Sequence, residues 1–125
     1  MWGLLPKPLY CIKIQYFDMS YAELHCLSNY SFLRGASHPS ELVEQAVHLG
    51  YSALAITDEC SLAGVVKAHV VAKELDFKLI IGSEFNVSEG LKLVAIAPSR
   101  AAYGELSNLI SRSRRRSEKG QYLTH

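Results

Sequence analysis

Tyr21-Ala-Glu-Leu-His25-Cys-Leu-Ser-Asn-Tyr30-Ser-Phe-Leu-Arg-Gly35 is the stretch whose reading decides the fold. Its first part, Tyr21 to Leu27, alternates apolar and polar residues with the period of a strand. It then enters a polar loop, Ser28-Asn29-Tyr30-Ser31, and turns at Gly35. α/β proteins carry their chemistry where parallel strands end, because the following loops converge there. Two later segments end in the same way. Ser52 to Thr57 closes on Asp58-Glu59, and Lys78 to Ile81 is followed by Gly82-Ser83-Glu84. If the three strands are parallel, His25, Asp58 and Glu84 meet on one side of a sheet.

Working outward, the segments between these strands read as helices. Ser37 is placed to cap a helix that admits Pro39 in its first turn and ends at Gly50. Leu42, Val43, Ala46 and Val47 form its apolar face. Ser61 is placed to cap a second helix reaching about Leu75, with Leu62, Val65, Val66 and His69 along one stripe. Strand, helix, strand, helix, strand at this spacing predicts an α/β fold of two βαβ units with right-handed crossovers. After Glu84 the pattern changes to a hairpin: Phe85 to Val87, a loop at Ser88-Glu89-Gly90, then Leu91 to Ala97. Pro98 ends the second strand. Ser99 caps a last helix with Tyr103, Leu106, Leu109 and Ile110 inward and a basic end.

Residues 1–20 do not fit this pattern. Pro6 and Pro8 break any helix, and Lys7 and the prolines interrupt what a signal peptide would need as an unbroken apolar run. Cys11 to Phe17 could pair as an edge strand. Met19 stands just before the organised part, so residues 1–18 are expected to be an extension outside the fold, with Met1 and Met19 both open as the start.

Composition excludes some classes. The chain has 125 residues, one domain's worth, with 49% hydrophobic and 20% charged residues, and forms a core. A net charge of +1 gives no global attraction to nucleic acid or to an anionic membrane. No apolar run approaches the roughly 20 residues of a membrane span. Cys11, Cys26 and Cys60 are three in number and widely spaced, which fits neither a disulfide framework nor a zinc knuckle; a reducing cytoplasm is the expected compartment.

His25, Asp58 and Glu84 are a donor set suited to Zn²⁺, Mn²⁺ or Mg²⁺ and to hydrolysis at phosphorus, with Glu23, Cys26, Glu59 and Cys60 near enough to assist. The residues equally allow a hydrogen-bonded core histidine and two loop-capping carboxylates. Arg112, Arg114, Arg115 and Arg116, with Lys119, could touch phosphate backbones, or could be a solvated helix end that complements the helix dipole. His38 and His48 read as surface residues and His69 as a packed one. Cys60 lacks a placed partner histidine, so a cysteine nucleophile is not expected.

Residues 21–36, with Ala53 to Val66 and Ile80-Ile-Gly-Ser-Glu-Phe85, resemble three motifs, in order, of the polymerase and histidinol phosphatase (PHP) domain, in the form found at the N-terminus of bacterial error-prone DNA polymerases. The resemblance covers about residues 21–123. It implies a distorted (β/α)7 barrel whose strand ends hold a metal cluster. In the family's intact sites the first motif supplies His-x-His; here Leu27 stands at the second histidine, Glu59 stands where Asp-His is frequent, and Glu84 matches the third-motif carboxylate. The resemblance therefore implies a degenerate site (His25, Asp58 and Glu84, with Glu23 and Glu59 as auxiliaries) holding at most a weak Zn²⁺, Mn²⁺ or Mg²⁺.

A barrel of this type needs about 200 residues, so residues 19–125 are expected to be an incomplete PHP domain, parallel strands with crossover helices and a late hairpin. The expected role is structural, within a longer polypeptide that carries out damage-tolerant DNA synthesis in replication and repair. This chain by itself has no polymerase active site, and DNA would be met through the full-length protein. A free-standing metal-dependent phosphoesterase is the alternative, and a small protein-binding or regulatory module using the basic helix end, with a nucleic-acid-binding version of it, is a third.

Overall fold

A computed structural model of the chain describes residues 20–87 and 90–122. The expected extension at residues 1–18, the edge strand within it and most of the hairpin loop lie outside the described residues. The elements are β1 (Ala22–Cys26), α1 (Pro39–His48), β2 (Ala53–Ile56), α2 (Val65–Glu74), β3 (Leu79–Val87), β4 (Leu91–Ala97) and α3 (Arg100–Arg115). They form a mixed α/β architecture on a curled, parallel-rich sheet of four strands in the order β1-β2-β3-β4. This is a half-barrel; a closed (β/α)7 barrel is not present among the described residues.

β2 pairs parallel to β1 and to β3, and β3 pairs antiparallel to β4. The two βαβ units are therefore those the periodicity predicts. All four residues of β2 are buried, as suits a central strand covered on both faces. Val43 and Ala46 of α1, Leu54 and Ile56 of β2, and Ala68 and Ala72 of α2 form one core cluster. Cys60, Phe85 and Leu106 form a second, under α3, with Ala95, Ala97 and Ile110 packed against it. Burying the larger of these side chains, Val43, Leu54, Ile56, Phe85 and Leu106, contributes about 1.5–3 kcal/mol each relative to exposure.

The structure departs from the sequence expectations at three places. β3 does not stop at Ile81. It runs without a break from Leu79 to Val87, so Gly82-Ser83-Glu84 is strand rather than loop. Gly82 permits this, because a Cβ there would lie 2.6 Å from the Ala95 carbonyl oxygen on the paired strand. At α1, the residue before the first turn is His38 rather than Ser37; its backbone N–H donates to Glu41 Oε2 at 2.8 Å. α2 begins at Val65 after Gly64, not after Ser61, whose hydroxyl instead accepts from Ala63 N at 3.1 Å. The inward stripe of α2 is Val65, Ala68 and Ala72, and His69 is exposed rather than packed. Ser99 caps α3 as expected, accepting from Ala102 N at 3.2 Å.

Candidate functional site

The end of β1 carries His25. The β1–β2 register slips between Glu23 and Cys26, the interval that contains it. Such irregularities re-aim a side chain. The His25 ring N–H at Nε2 donates to Glu84 Oε2 at 2.7 Å, with the His25 side chain 49% exposed and that of Glu84 fully buried. Glu84 sits in the middle of β3, on the opposite face from Phe85 and beside the loop that follows β2. A carboxylate buried there keeps its charge only because it is partnered.

Its second partner is Arg34, from the loop after β1. Arg34 Nη1 donates to Glu84 Oε1, and Arg34 Nη2 donates to Glu84 Oε2 at 3.3 Å. The same Nη1 donates to Glu59 Oε2 at 2.9 Å. One planar cation thus joins two carboxylates, the geometry for which guanidinium is suited. The other oxygen of Glu59, Oε1, accepts from Asn86 Nδ2 at 2.7 Å and from Tyr122 Oη at 2.8 Å. Tyr122 Oη in turn accepts from Asn86 N at 2.8 Å.

These contacts set the charge states. The Arg34 hydrogen bonds hold the Glu84 carboxyl below its ordinary value against the opposing effect of burial, and His25 adds to the effect. Burial pushes Glu59 up, but bonds from Arg34 and Tyr122 outweigh it and the net shift is downward. Glu23 is held low by the Tyr21 hydroxyl and the His25 backbone N–H; both bonds turn it onto its own strand.

Asp58 is elsewhere. Its Oδ1 accepts from Ser28 N at 2.7 Å and Ser31 Oγ at 2.8 Å, and its Oδ2 from Ser28 Oγ at 2.6 Å. Asp58 is buried and turned into the loop after β1, where it organises that loop as a cap organises a helix start. Of the three predicted donors, then, the structure bonds His25 to Glu84 and commits the Asp58 carboxylate to Ser28 and Ser31. Glu59 joins the His25–Glu84 pair through Arg34. Burial pushes the Cys26 and Cys60 thiols up.

Sequence reasoning missed Arg34, Ser28, Ser31, Asn86 and Tyr122. The polar loop signalled the serines. An arginine set between Leu33 and Gly35 in an otherwise apolar turn was the available sign of Arg34. Arg114 of the basic helix end is engaged: its Nε and Nη2 donate to the Cys60 carbonyl at 3.2 and 3.1 Å, and its guanidinium lies 5.4 Å from the Tyr122 ring centre. Arg112, Arg115 and Arg116 are exposed.

A divalent ion needs free lone pairs converging on one point. Both oxygens of Asp58 and of Glu84 are already used by protein donors, and a fixed positive charge lies between Glu59 and Glu84. Among the described residues no group of three or more His, Cys, Asp and Glu side chains is placed to hold a metal ion. As arranged, these groups do not fit one.

Residues 23–125 match the PHP domain family. The chain is 64% identical over 107 residues to an error-prone DNA polymerase of Saccharophagus degradans, covering 86% of this chain and 10% of that one. It is 65% identical over 102 residues to an error-prone DNA polymerase of Methylococcus capsulatus, covering 82% and 10%. The chain thus spans about a tenth of the length of these relatives. Among solved structures, one described as a metal-dependent phosphoesterase from Bifidobacterium adolescentis aligns with a TM-score of 0.61 and 28% identity, over 78% of this chain and 34% of that one. An amidohydrolase from Chromobacterium violaceum aligns with a TM-score of 0.58 and 25% identity, over 77% and 34%. No helix among the described residues is long and apolar enough to cross a membrane.

Proposed function

This chain belongs to the PHP domain family, and from that premise we infer that it is a non-catalytic PHP segment whose work is to support the fold of an error-prone DNA polymerase. The identity of 61–65% to three such polymerases supports the assignment to that branch. The observation that carries the non-catalytic part is Arg34. Its guanidinium occupies the space between the carboxylates that a phosphoesterase would turn toward metal and substrate.

In this reading the parent enzyme acts in damage-tolerant DNA synthesis during replication and repair, in the cytoplasm. DNA is met in the context of the full-length polypeptide. The curled sheet would be completed by chain that follows, giving the barrel of the family. Arg112, Arg115 and Arg116 at the end of α3 are the residues here that would face nucleic acid. Their exposed guanidiniums suit phosphate contacts, which position a duplex without reading its sequence.

The test is a chimera. Residues 19–125 replace the matching segment of the Saccharophagus degradans polymerase, and primer extension is compared with the parent and with a deletion of the segment. Parent-level extension by the chimera, with loss of soluble polymerase on deletion, is expected. Metal-dependent hydrolysis of a phosphate monoester by the 125-residue chain, lost on His25→Ala, would instead establish the phosphoesterase reading.

A further inference from the structure

We propose that the cleft between α2 and α3 is a docking groove for an amphipathic helix with acidic flanks, presented by a partner protein.

The cleft follows from the chain order. α2 crosses over from β2 to β3, but β3 is followed by the antiparallel strand β4, so α3 begins one strand farther along the sheet. The core divides accordingly. Val43 and Ala46 of α1 share one cluster with Ala68 and Ala72 of α2, whereas Leu106 and Ile110 of α3 pack with Phe85 in the other. Ile81 of β3 belongs to neither. With Val66 of α2, Ala97 and Pro98 at the end of β4 and Tyr103 of α3, it lines a cavity of about 610 Å³. One smaller cavity shares His69 with it and another shares Ile81 and Ala97, and both continue it toward the start of β3.

Such a groove suits a helix better than an added strand. Its side walls are the helices α2 and α3, whose backbone groups are bonded within each helix, so an extended peptide finds no open strand edge along them. A docking helix satisfies its own backbone and needs only an apolar ridge at i, i+3 or i+4, and i+7. Val66, 67% exposed, and the partly buried Ile81, Ala97 and Tyr103 offer that ridge apolar surface.

The rim selects the charge. Lys73, Lys78 and Arg100 line the groove and its extensions, against Asp76. The chain as a whole carries a net charge of +1, so this excess is local. The ion pairs among the described residues use His25, Arg34, Glu59 and Glu84, and none of these three cations. Acidic flanks on the occupant would meet them, which steers encounter and fixes register. Residues 1–18 of the chain do not have that composition: they carry Lys7 and Lys13 against Asp18, and Pro6 and Pro8 break a helix. The acidic segment therefore comes from another protein. Binding here needs neither the strand-end carboxylates nor a polymerase, so the chimera does not decide it.

A displayed library of random peptides of about 16 residues, some four helical turns, panned on the purified 125-residue chain, tests it. Recovered peptides should carry apolar residues at helical spacing with Asp or Glu beside them. Their affinity, read by fluorescence anisotropy of synthetic copies, should fall about tenfold or more in Val66→Asp, which sets a charge in the apolar contact. The combined Lys73→Glu, Lys78→Glu and Arg100→Glu variant should lose about as much. Arg115→Glu, a charge reversal at the far end of α3, should change it by less than about twofold. All five positions are exposed, and thermal melting checks that each variant is folded.

Recovery of peptides without the acidic, helix-spaced pattern would overturn the proposal. So would an unchanged affinity in Val66→Asp, or a loss in Arg115→Glu as large as in the combined variant, which would reduce binding to general attraction between opposite charges. If Val66→Asp does not fold, the combined charge variant decides by itself.

Discussion

Glu59 and Glu84 pair across an isolated parallel bridge and point their carboxylates at the same guanidinium. Two acids that the sequence separates by a helix and a strand thereby become one electrostatic unit. The loop after β1, the loop after β2 and β3 all depend on it.

Asp58 is the other structural carboxylate, and its role is to hold the β1–α1 loop. Asp58→Asn replaces one accepting oxygen with an amide that points donors at donors. It should cost about 2–4 kcal/mol, because charged hydrogen bonds are lost and buried groups are left unpaired. Ser28→Ala removes the hydroxyl that donates to Asp58 Oδ2 and accepts from Tyr30 N, and should cost about 1–2 kcal/mol. Urea denaturation of both variants checks the order; equal or reversed costs would show that Asp58 does not organise the loop.

Acid should unfold the chain through Glu84 and Glu59. Both are held below their ordinary value in the folded state. The folded state therefore binds fewer protons than the unfolded chain, so this stability is present above the ordinary carboxyl value of about 4.3 and is lost as pH falls through the lower folded values. Denaturation series from pH 7 downward should show the decline beginning near pH 5. Arg34→Ala should flatten it; an unchanged acid limb in that variant would exclude the pairing as its source.

Tyr122 makes the converse prediction at high pH. Burial, with the Glu59 bond adding to it and the Asn86 N–H opposing it, pushes the phenol up to about 12. A group raised in the folded state contributes stability that is fully present below the unfolded value of about 10, and loses it as pH rises through the folded value. Tyrosinate absorbance during alkaline titration should show a late-titrating component that shrinks in Tyr122→Phe without vanishing, because the hydrogen bond to Glu23 also raises Tyr21. That variant should also lose about 1 kcal/mol at neutral pH.

Gly35 should tolerate no side chain. A Cβ at this position would overlap the Ser28 carbonyl oxygen, a backbone atom that the Asp58 contacts hold in place. Gly35→Ala should therefore cost about 1–3 kcal/mol as overpacking, whereas Gly104→Ala, on the open side of α3, should raise stability by about 0.5–1 kcal/mol. A melting comparison of the two decides it, and a neutral Gly35→Ala would contradict the tight loop.

The basic end of α3 should divide into structural and solvent-facing arginines. Arg114→Ala breaks bonds to the Cys60 carbonyl and a stack on Tyr122, and should cost about 1–2 kcal/mol. Arg115→Ala and Arg116→Ala should each stay within about 0.5 kcal/mol. If the helix end touches DNA in the parent polymerase, the combined Arg112, Arg115 and Arg116 alanine variant of that enzyme should show a shallower dependence of DNA affinity on salt. An unchanged slope would remove these residues from the interface.

Much of the fold could be read from the chain because it is local information. Alternation marks Tyr21 to Leu27, an unbroken apolar run marks β2, and Ser99 announces α3 by its hydroxyl. The break expected after Ile81 failed for a tertiary reason. Gly82 and Ser83 are turn residues by propensity, yet the approach of β4 keeps them in an extended strand. The same approach carries Glu84 from a supposed loop into the sheet. The helix caps at Ser37 and Ser61 failed because other local contacts were available, Glu41 at His38 and the turn at Ala63.

By itself the sequence determined the order and type of the elements, the parallel pairing of the first three strands, the family, and the placing of His25 and Glu84 near one another. It could not determine which charge meets which. His25 and Glu84 are 59 residues apart and Arg34 and Glu84 are 50 apart. Periodicity reports the face on which a side chain lies and is silent about what lies opposite. Only the curl of the sheet, with the β1 loop folded back over it, brings a guanidinium into a pair of carboxylates and turns Asp58 toward two serines. The donor set is thus a property of the chain, and its occupation by Arg34 is a property of the fold.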